Sequence, residues 1–276
     1  MDLSEVDDLK IAMRLAGINA KKSLGQHFLV DKPSLIDIVA SADVQASDTI
    51  LEIGPGLGVM TTLLTEQADQ VIAVEADPTL AMLLTRDAPK NLIVVSEDIL
   101  KFDLTTLPTG YKVVANLPYY LSSKVLRLLL ESPNPPRLMS LLLQKEVTER
   151  IIAKPGQMSV LALSVQYYAT AEMIGVIERH KFWPPPKVDS AIIRITRRPE
   201  PAFAASTDQL FRLIIAGFGE KRKQLKNSLA GGLNVEINSI AKLLDKAQLP
   251  PQARAQELSL LDWQKLYTEA LVSGLI

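Results

Sequence analysis

Glu52-Ile-Gly54-Pro-Gly56-Leu-Gly58 places glycines at every second position, beginning two residues after a carboxylate. With no Cβ, the backbone there can approach a ligand closely. Such a turn serves NAD, FAD or S-adenosylmethionine, and it also occurs as a plain tight turn. The spacing differs from the GxGxxG of dinucleotide binders, and no Lys follows the glycines as in a P-loop. Glu75 suits a two-point grip on ribose hydroxyls. Asp98 can accept a hydrogen bond from an adenine amino group. Either carboxylate alone reads equally well as a solvated strand end; together with the glycines they favour an adenosine cofactor.

Asn116-Leu117-Pro118-Tyr119, followed by Tyr120, carries a second kind of chemistry. An exocyclic adenine amine is a poor nucleophile, because its lone pair is delocalised into the ring. A site that accepts hydrogen bonds from both N–H groups draws that lone pair out of the plane. The Asn116 side-chain oxygen and the Leu117 backbone carbonyl could do this. Pro118 restricts the turn, and Tyr119 offers a flat face for an extruded base. In isolation the same four residues would read as a proline turn with a buried tyrosine.

The elements that must position these groups follow a regular alternation. Residues 49–53, 70–77, 91–99 and 111–117 read as strands. Helices are expected at 4–15, with Ser4 as cap, at 34–41, with Asp31 as cap and Pro33 in the first turn, and at 59–68 and 78–86. Further helices, at 122–131 and 145–153, flank an apolar run at 138–144. This alternation predicts a parallel sheet covered on both faces. Ligands of such sheets sit beyond the carboxyl ends of the strands. Residues 54–58, 75–77, 97–99 and 116–120 all fall there. Residues 197–206 read as a linker, and 207–217, 221–230, 236–247 and 260–272 as helices. The expected domains are 1–200 and 201–276.

Composition narrows the function classes. The chain has 276 residues, with 30 Lys and Arg against 31 Asp and Glu, which excludes a uniformly basic nucleic-acid coat but not a local patch. Cysteine is absent and histidine is limited to His27 and His180, which removes disulfides, thiolate catalysis, zinc–thiolate sites and multi-histidine metal sites. No metal is expected. The acidic first residues do not resemble a secretory signal, and no apolar run reaches the ~18 residues that span a bilayer. A cytoplasmic setting away from membranes is expected. Basic residues gather at 179–198, including Lys187, and at Lys221, Arg222, Lys223 and Lys226. Such runs are usually solvated faces; with aromatics nearby, they are phosphate-contact candidates.

Nine blocks in order carry a resemblance: KKSLGQHFLVD, LEIGPGLGVMT, VIAVEAD, EDIL, ANLPYYLSS, LLLQKEV, GQMSVLALSVQYYA, KFWPPPKVDSAIIRI and EKRKQLKNSL. From about Lys21 to the last helix, the chain resembles the KsgA-like rRNA adenine dimethyltransferases. The resemblance implies a Rossmann-like methyltransferase sheet with a small all-α C-terminal domain that reads RNA shape. It implies S-adenosylmethionine as methyl donor, S-adenosylhomocysteine as product, and conversion of two adjacent adenines near the 3′ end of 16S rRNA to N6,N6-dimethyladenosine. The substrate would be an immature 30S particle and the enzyme a monomer. Gln26, His27, Leu29, Gly54, Gly56, Gly58, Glu75, Asp98, Ile99 and Asn116 would hold the cofactor. Asn116, Leu117 and Tyr119 would hold the target base, with Phe182 stacked on its other face; bases and prolines around Phe182 argue against its full burial, and Trp183 is a rival ring. The family often has Asn where this chain has His27. Three other readings remain: a sister enzyme methylating a large-subunit rRNA adenine, a non-catalytic RNA-binding relative, and a DNA adenine methylase.

Overall fold

The computed structural model describes residues 3–20, 25–86, 88–220 and 222–276. The chain forms two compact units, one of residues up to Thr148 plus Thr170–Arg197, the other of Glu149–Ala169 plus Arg198–Ile276.

The first unit is built on a seven-stranded sheet. Its strands are β2 (Thr49–Ile53), β3 (Gln70–Glu75), β4 (Leu92–Ser96), β5 (Lys112–Asn116), β6 (Leu138–Gln144), β7 (Ala169–Ile177) and β9 (Ser190–Arg197), in the order β4-β3-β2-β5-β6-β9-β7. From β4 to β6 neighbouring strands are parallel, as expected. Beyond β6 the expectation of a parallel sheet needs correcting: β9 runs antiparallel to β6, so the sheet is mixed. β1 (Phe28–Leu29) and β8 (Phe182–Trp183) form a separate antiparallel pair.

The parallel strands are almost wholly apolar runs, as burial on both faces requires. Ile50, Leu51, Val113, Val114, Leu141 and Leu142 are fully buried, each worth roughly 1.5–3 kcal/mol relative to exposure. Helices α3 (Val59–Thr65), α4 (Pro78–Arg86) and α5 (Ser122–Glu131) follow β2, β3 and β5 in the chain, while α2 (Lys32–Ser41) precedes β2 and packs against β6. Asp31 caps α2 by accepting from the Ser34 backbone N–H at 3.1 Å. At α1 (Val6–Leu15) the N-cap is Glu5, not Ser4.

The second unit is helical. It contains α7 (Val160–Tyr168), α8 (Thr207–Phe218), α9 (Leu225–Leu233), α10 (Ile237–Lys246) and α11 (Leu260–Val272). Segment 149–169 belongs here because Tyr167 packs edge-on against Phe203 and Phe211, with ring centroids 5.2 and 6.0 Å away. The Tyr167 and Tyr168 carbonyls accept from Ala202 and Arg198 N–H groups at 2.8 and 3.0 Å. A linear cut after residue 200 does not show this excursion. α6 (Lys145–Ile151) stops short of the expected 153, and α9 begins four residues later than expected.

Candidate active site

The parallel strands end at one level. Ile53 lies beside Val74 and Ala115, Glu75 beside Ser96, and Asn116 beside Leu142. Strand order reverses between β2 and β5, which opens a crevice at this edge. Residues 25–29, 52–57, 74–76, 97–99 and 116–121 line it, with Val59 and Met60 of α3.

The glycine turn is shaped by its neighbours. Gly54, Gly56 and Gly58 have φ of 67, 61 and 83°, in the region that side chains disfavour. A Cβ on Gly56 would sit 3.1 Å from Phe28 Cε1. Gly54 and Gly56 line the crevice; Gly58 does not. A Cβ on Gly58 would lie 2.5 Å from Leu84 Cδ2, so that glycine also borders α4.

Two carboxyls underlie the turn. Glu75 is 5% exposed and accepts from Gly56 N–H at 3.1 Å and from Asp77 N–H at 2.8 Å. Burial raises its pKa, and these N–H groups counter the rise in part. Glu52 is fully buried on the crevice floor, and neither of its oxygens has a hydrogen-bond partner. Burial pushes its pKa up to about 8; the Thr61 hydroxyl nearby counters this only partly, and the Glu75 charge adds to it. In the sequence Glu52 stands out only by its spacing from the glycines. At the next strand end, Asp98 accepts from Leu100 N–H at 3.0 Å, and Ile99 is 4% exposed.

The β5 end is tied to the N-terminal segment. Asn116 Nδ2 donates to the His27 carbonyl at 3.0 Å. His27 Nδ1 lies 2.6 Å from the Pro184 carbonyl. A carbonyl only accepts, so Nδ1 carries the proton. The His27 ring is stacked on Tyr119, with centroids 5.9 Å apart and planes at 24°. The Tyr119 hydroxyl shares a 2.7 Å hydrogen bond with Ser190. Burial raises the Tyr119 pKa, so the phenol is neutral at ordinary pH. Leu117 is 1% exposed and is held by its N–H on the Leu142 carbonyl at 3.3 Å.

Gln26, His27, Leu29, Gly54, Gly56, Glu75, Asp98, Ile99, Asn116, Leu117 and Tyr119 therefore share one crevice. The expectation that Phe182 escapes full burial is corrected. The residue is 3% exposed and packs in the core with Leu29, Ile177 and Ile192. Pairing of β8 with β1 turns it inward, and the prolines after it do not expose it. Trp183 is half-buried in a second apolar cluster with Phe28 and Leu57, with Lys10 Nζ 6.0 Å from its ring centre. Neither ring lines the crevice. Lys187 is exposed in the first unit, and Arg222 and Lys223 in the second, where Lys226 is half-buried. Lys223 pairs with Glu220 at 2.6 Å, and Lys221 lies outside the described residues.

A family model described as "Ribosomal RNA adenine dimethylase" matches residues 17–269. The chain belongs to the ribosomal RNA adenine dimethylase family. Members of this family of Rossmann-like methyltransferases take their methyl group from S-adenosylmethionine. The chain is 43% identical over 262 residues to "Ribosomal RNA small subunit methyltransferase A" of Dehalococcoides mccartyi, covering 91% of this chain and 90% of that one. It is 39% identical to the protein of the same name from Streptococcus pneumoniae, covering 96% and 97%. Among solved structures, a dimethyladenosine transferase from Plasmodium falciparum superposes with a TM-score of 0.79 at 25% identity, covering 90% of this chain and 98% of that one. The 23S rRNA methyltransferase ErmE superposes at 0.70 with 26% identity, covering 88% and 98%. Among the described residues, no helix is long and apolar enough to cross a membrane.

The crevice residues fit this donor. Glu75 and Asp98 are acceptors for hydroxyl and amino groups, and Ile53, Leu57 and Ile99 supply an apolar lining.

Proposed function

We propose that the chain dimethylates N6 of two adjacent adenines in the 3′-terminal hairpin of 16S rRNA, within an immature 30S particle, with a role in small-subunit biogenesis. The observation that carries the reading is the Asn116–His27 hydrogen bond: it commits the amide NH2 to a carbonyl and leaves Oδ1 as the acceptor.

Bound S-adenosylmethionine supplies an electrophilic methyl group on a sulfonium. Asn116 Oδ1 and the Leu117 carbonyl accept the two N6 hydrogens and draw the amine lone pair out of the ring plane. His27 covers one face of Tyr119, so the adenine takes the opposite face. The Ser190 hydrogen bond keeps that ring from swinging away. No strong base is required, because the amine becomes acidic only as the new bond forms; a Leu117 carbonyl or water accepts the proton late. Positioning and preorganised acceptors then supply most of the rate. Intact methyl transfer to nitrogen needs no Lewis acid, and no metal is part of the proposal.

Glu75 and Asp98 are proposed to hold the ribose and adenine of the donor, with Gln26, His27, Leu29, Gly54, Gly56 and Ile99 around it. The unit containing residues up to Thr148 is proposed as catalytic. The helical unit is proposed to read RNA shape, with Arg222, Lys223 and Lys226 on phosphates; Lys187 plays the same part in the catalytic unit. The enzyme is proposed to act as a monomer in the cytoplasm.

Primer extension across both rRNAs, after incubation with S-adenosylmethionine, tests the choice of substrate. Stops at the two small-subunit adenines support it. A stop confined to the large-subunit rRNA would assign the chain to the reaction named for ErmE.

A further inference from the structure

Tyr120 follows the base-binding turn and has no part in the reaction as derived so far. It lines the rim of the crevice and is 57% exposed, an unusual state for a large aromatic beside a largely apolar pocket. Its ring is nevertheless flanked. A Cβ on Gly25 would lie 3.4 Å from both Tyr120 Cδ1 and Cε1 and 3.5 Å from Pro118 Cβ, and Gly25 holds a φ of 62°. Gly25 thus lies beside the Cδ1–Cε1 edge of the ring, with room there for no more than a Cβ, while much of the ring stays open to solvent. Its neighbour Tyr119 is half-buried and anchored through its hydroxyl on Ser190. The turn therefore presents two consecutive rings of different kinds, one set inside the crevice and one at its mouth.

A strand that feeds one base into the crevice must leave the next base at the mouth, unstacked on the side the extruded base has vacated. An exposed aromatic ring flanked at one edge recovers part of that lost stacking without reading sequence. We propose that Tyr120 is a substrate-binding residue that stacks on the base next to the extruded adenine. For two adjacent adenines that neighbour is the other substrate base, so the same ring would serve whichever adenine is being methylated. This rests on the proposed function for the identity of the RNA.

The test compares wild type with Tyr120→Ala, Tyr120→Phe and Tyr120→Trp. Affinity for unmethylated small-subunit particles is measured by co-sedimentation in the presence of S-adenosylhomocysteine, and affinity for S-adenosylmethionine by calorimetry. Stacking needs a ring and no hydroxyl. The expected result is about a tenfold loss of particle affinity for the Ala variant, retention within twofold for Phe and Trp, and unchanged cofactor affinity in all three. Particle affinity unchanged in the Ala variant would overturn the proposal. So would a Phe or Trp variant as weak as Ala, or a parallel loss of cofactor affinity, which a purely structural prop under Gly25 would give. If wild type binds particles in this pattern yet transfers no methyl group, the proposed function fails and the stacking role stands.

Discussion

The Asn116 side-chain amide donates to the His27 backbone carbonyl at 3.0 Å, joining residues far apart in sequence. A carbonyl has no proton to give, so this contact sets which end of the amide faces which way. His27 is itself held through Nδ1 on the Pro184 carbonyl. Three segments of the chain thus meet at the β5 end, and the acceptor geometry of Asn116 is the product of that meeting.

Asn116→Ala removes the side-chain acceptor while leaving the crevice floor in place. The expected outcome is a fall in kcat of about 10²–10³-fold, the range seen when one preorganised hydrogen-bond partner is lost. Cofactor affinity by calorimetry should stay within a few-fold. Normal turnover would remove Asn116 from its assigned role.

Glu75→Gln keeps one acceptor oxygen and removes the charge from the group proposed to accept the donor's ribose hydroxyls. Loss of one hydrogen bond to a charged group costs about 1.5–3 kcal/mol. The dissociation constant for S-adenosylmethionine should therefore rise about 10- to 100-fold in calorimetry, and an unchanged constant would separate Glu75 from cofactor binding.

Glu52 makes stability depend on pH. Its folded pKa, about 8, lies above the ordinary 4.5, so the folded state holds the proton more tightly than the unfolded one. Its contribution to stability without cofactor is then greatest below pH 4.5, declines as pH rises toward 8, and levels off beyond. Urea denaturation of wild type and Glu52→Gln between pH 5 and pH 9 checks this. The variant should lack the decline; a decline of equal slope in both would locate its source elsewhere.

Asp48 acts in the opposite sense. It is paired with Lys112 Nζ at 2.8 Å and with Arg137, and both Asp48 and Lys112 are buried. Burial would raise its pKa, but the Lys112 hydrogen bond, the Gln45 N–H and the two positive charges outweigh this and hold it below 3.8. Its contribution is present above pH 3.8 and is lost as pH falls through the folded value. Asp48→Asn leaves Lys112 buried without its countercharge, a loss of about 3–5 kcal/mol. The difference from wild type in urea midpoint should be large at pH 7 and shrink at pH 3.

Much of this was legible in the residues because their patterns are local. Thr49–Ile53, Ser122–Glu131 and Leu260–Val272 fall where apolar periodicity places them. The crevice followed from glycines and carboxylates just beyond predicted strands. What was missed depends on distant partners. β7 alternates buried and exposed positions at one sheet edge, and β9 takes its direction from β6, seen only once the sheet is assembled. α7 sits in a long apolar stretch whose period does not separate helix from strand, although Ser159 caps it by accepting from Ala162 N–H at 3.1 Å. Phe182 was misread because the strand that buries it, Phe28–Leu29, lies in another part of the sequence. The Leu84 side chain beside Gly58 is likewise a contact that the spacing of the glycines does not show.

The most direct test of the account is mass spectrometry of nuclease-digested rRNA after wild type and Asn116→Ala are incubated with isotopically labelled S-adenosylmethionine and small-subunit particles lacking the modification. The account predicts labelled N6,N6-dimethyladenosine at two adjacent positions of the 3′-terminal hairpin with wild type, and only background with the variant. Label at those positions with both proteins, or none with wild type, would contradict it.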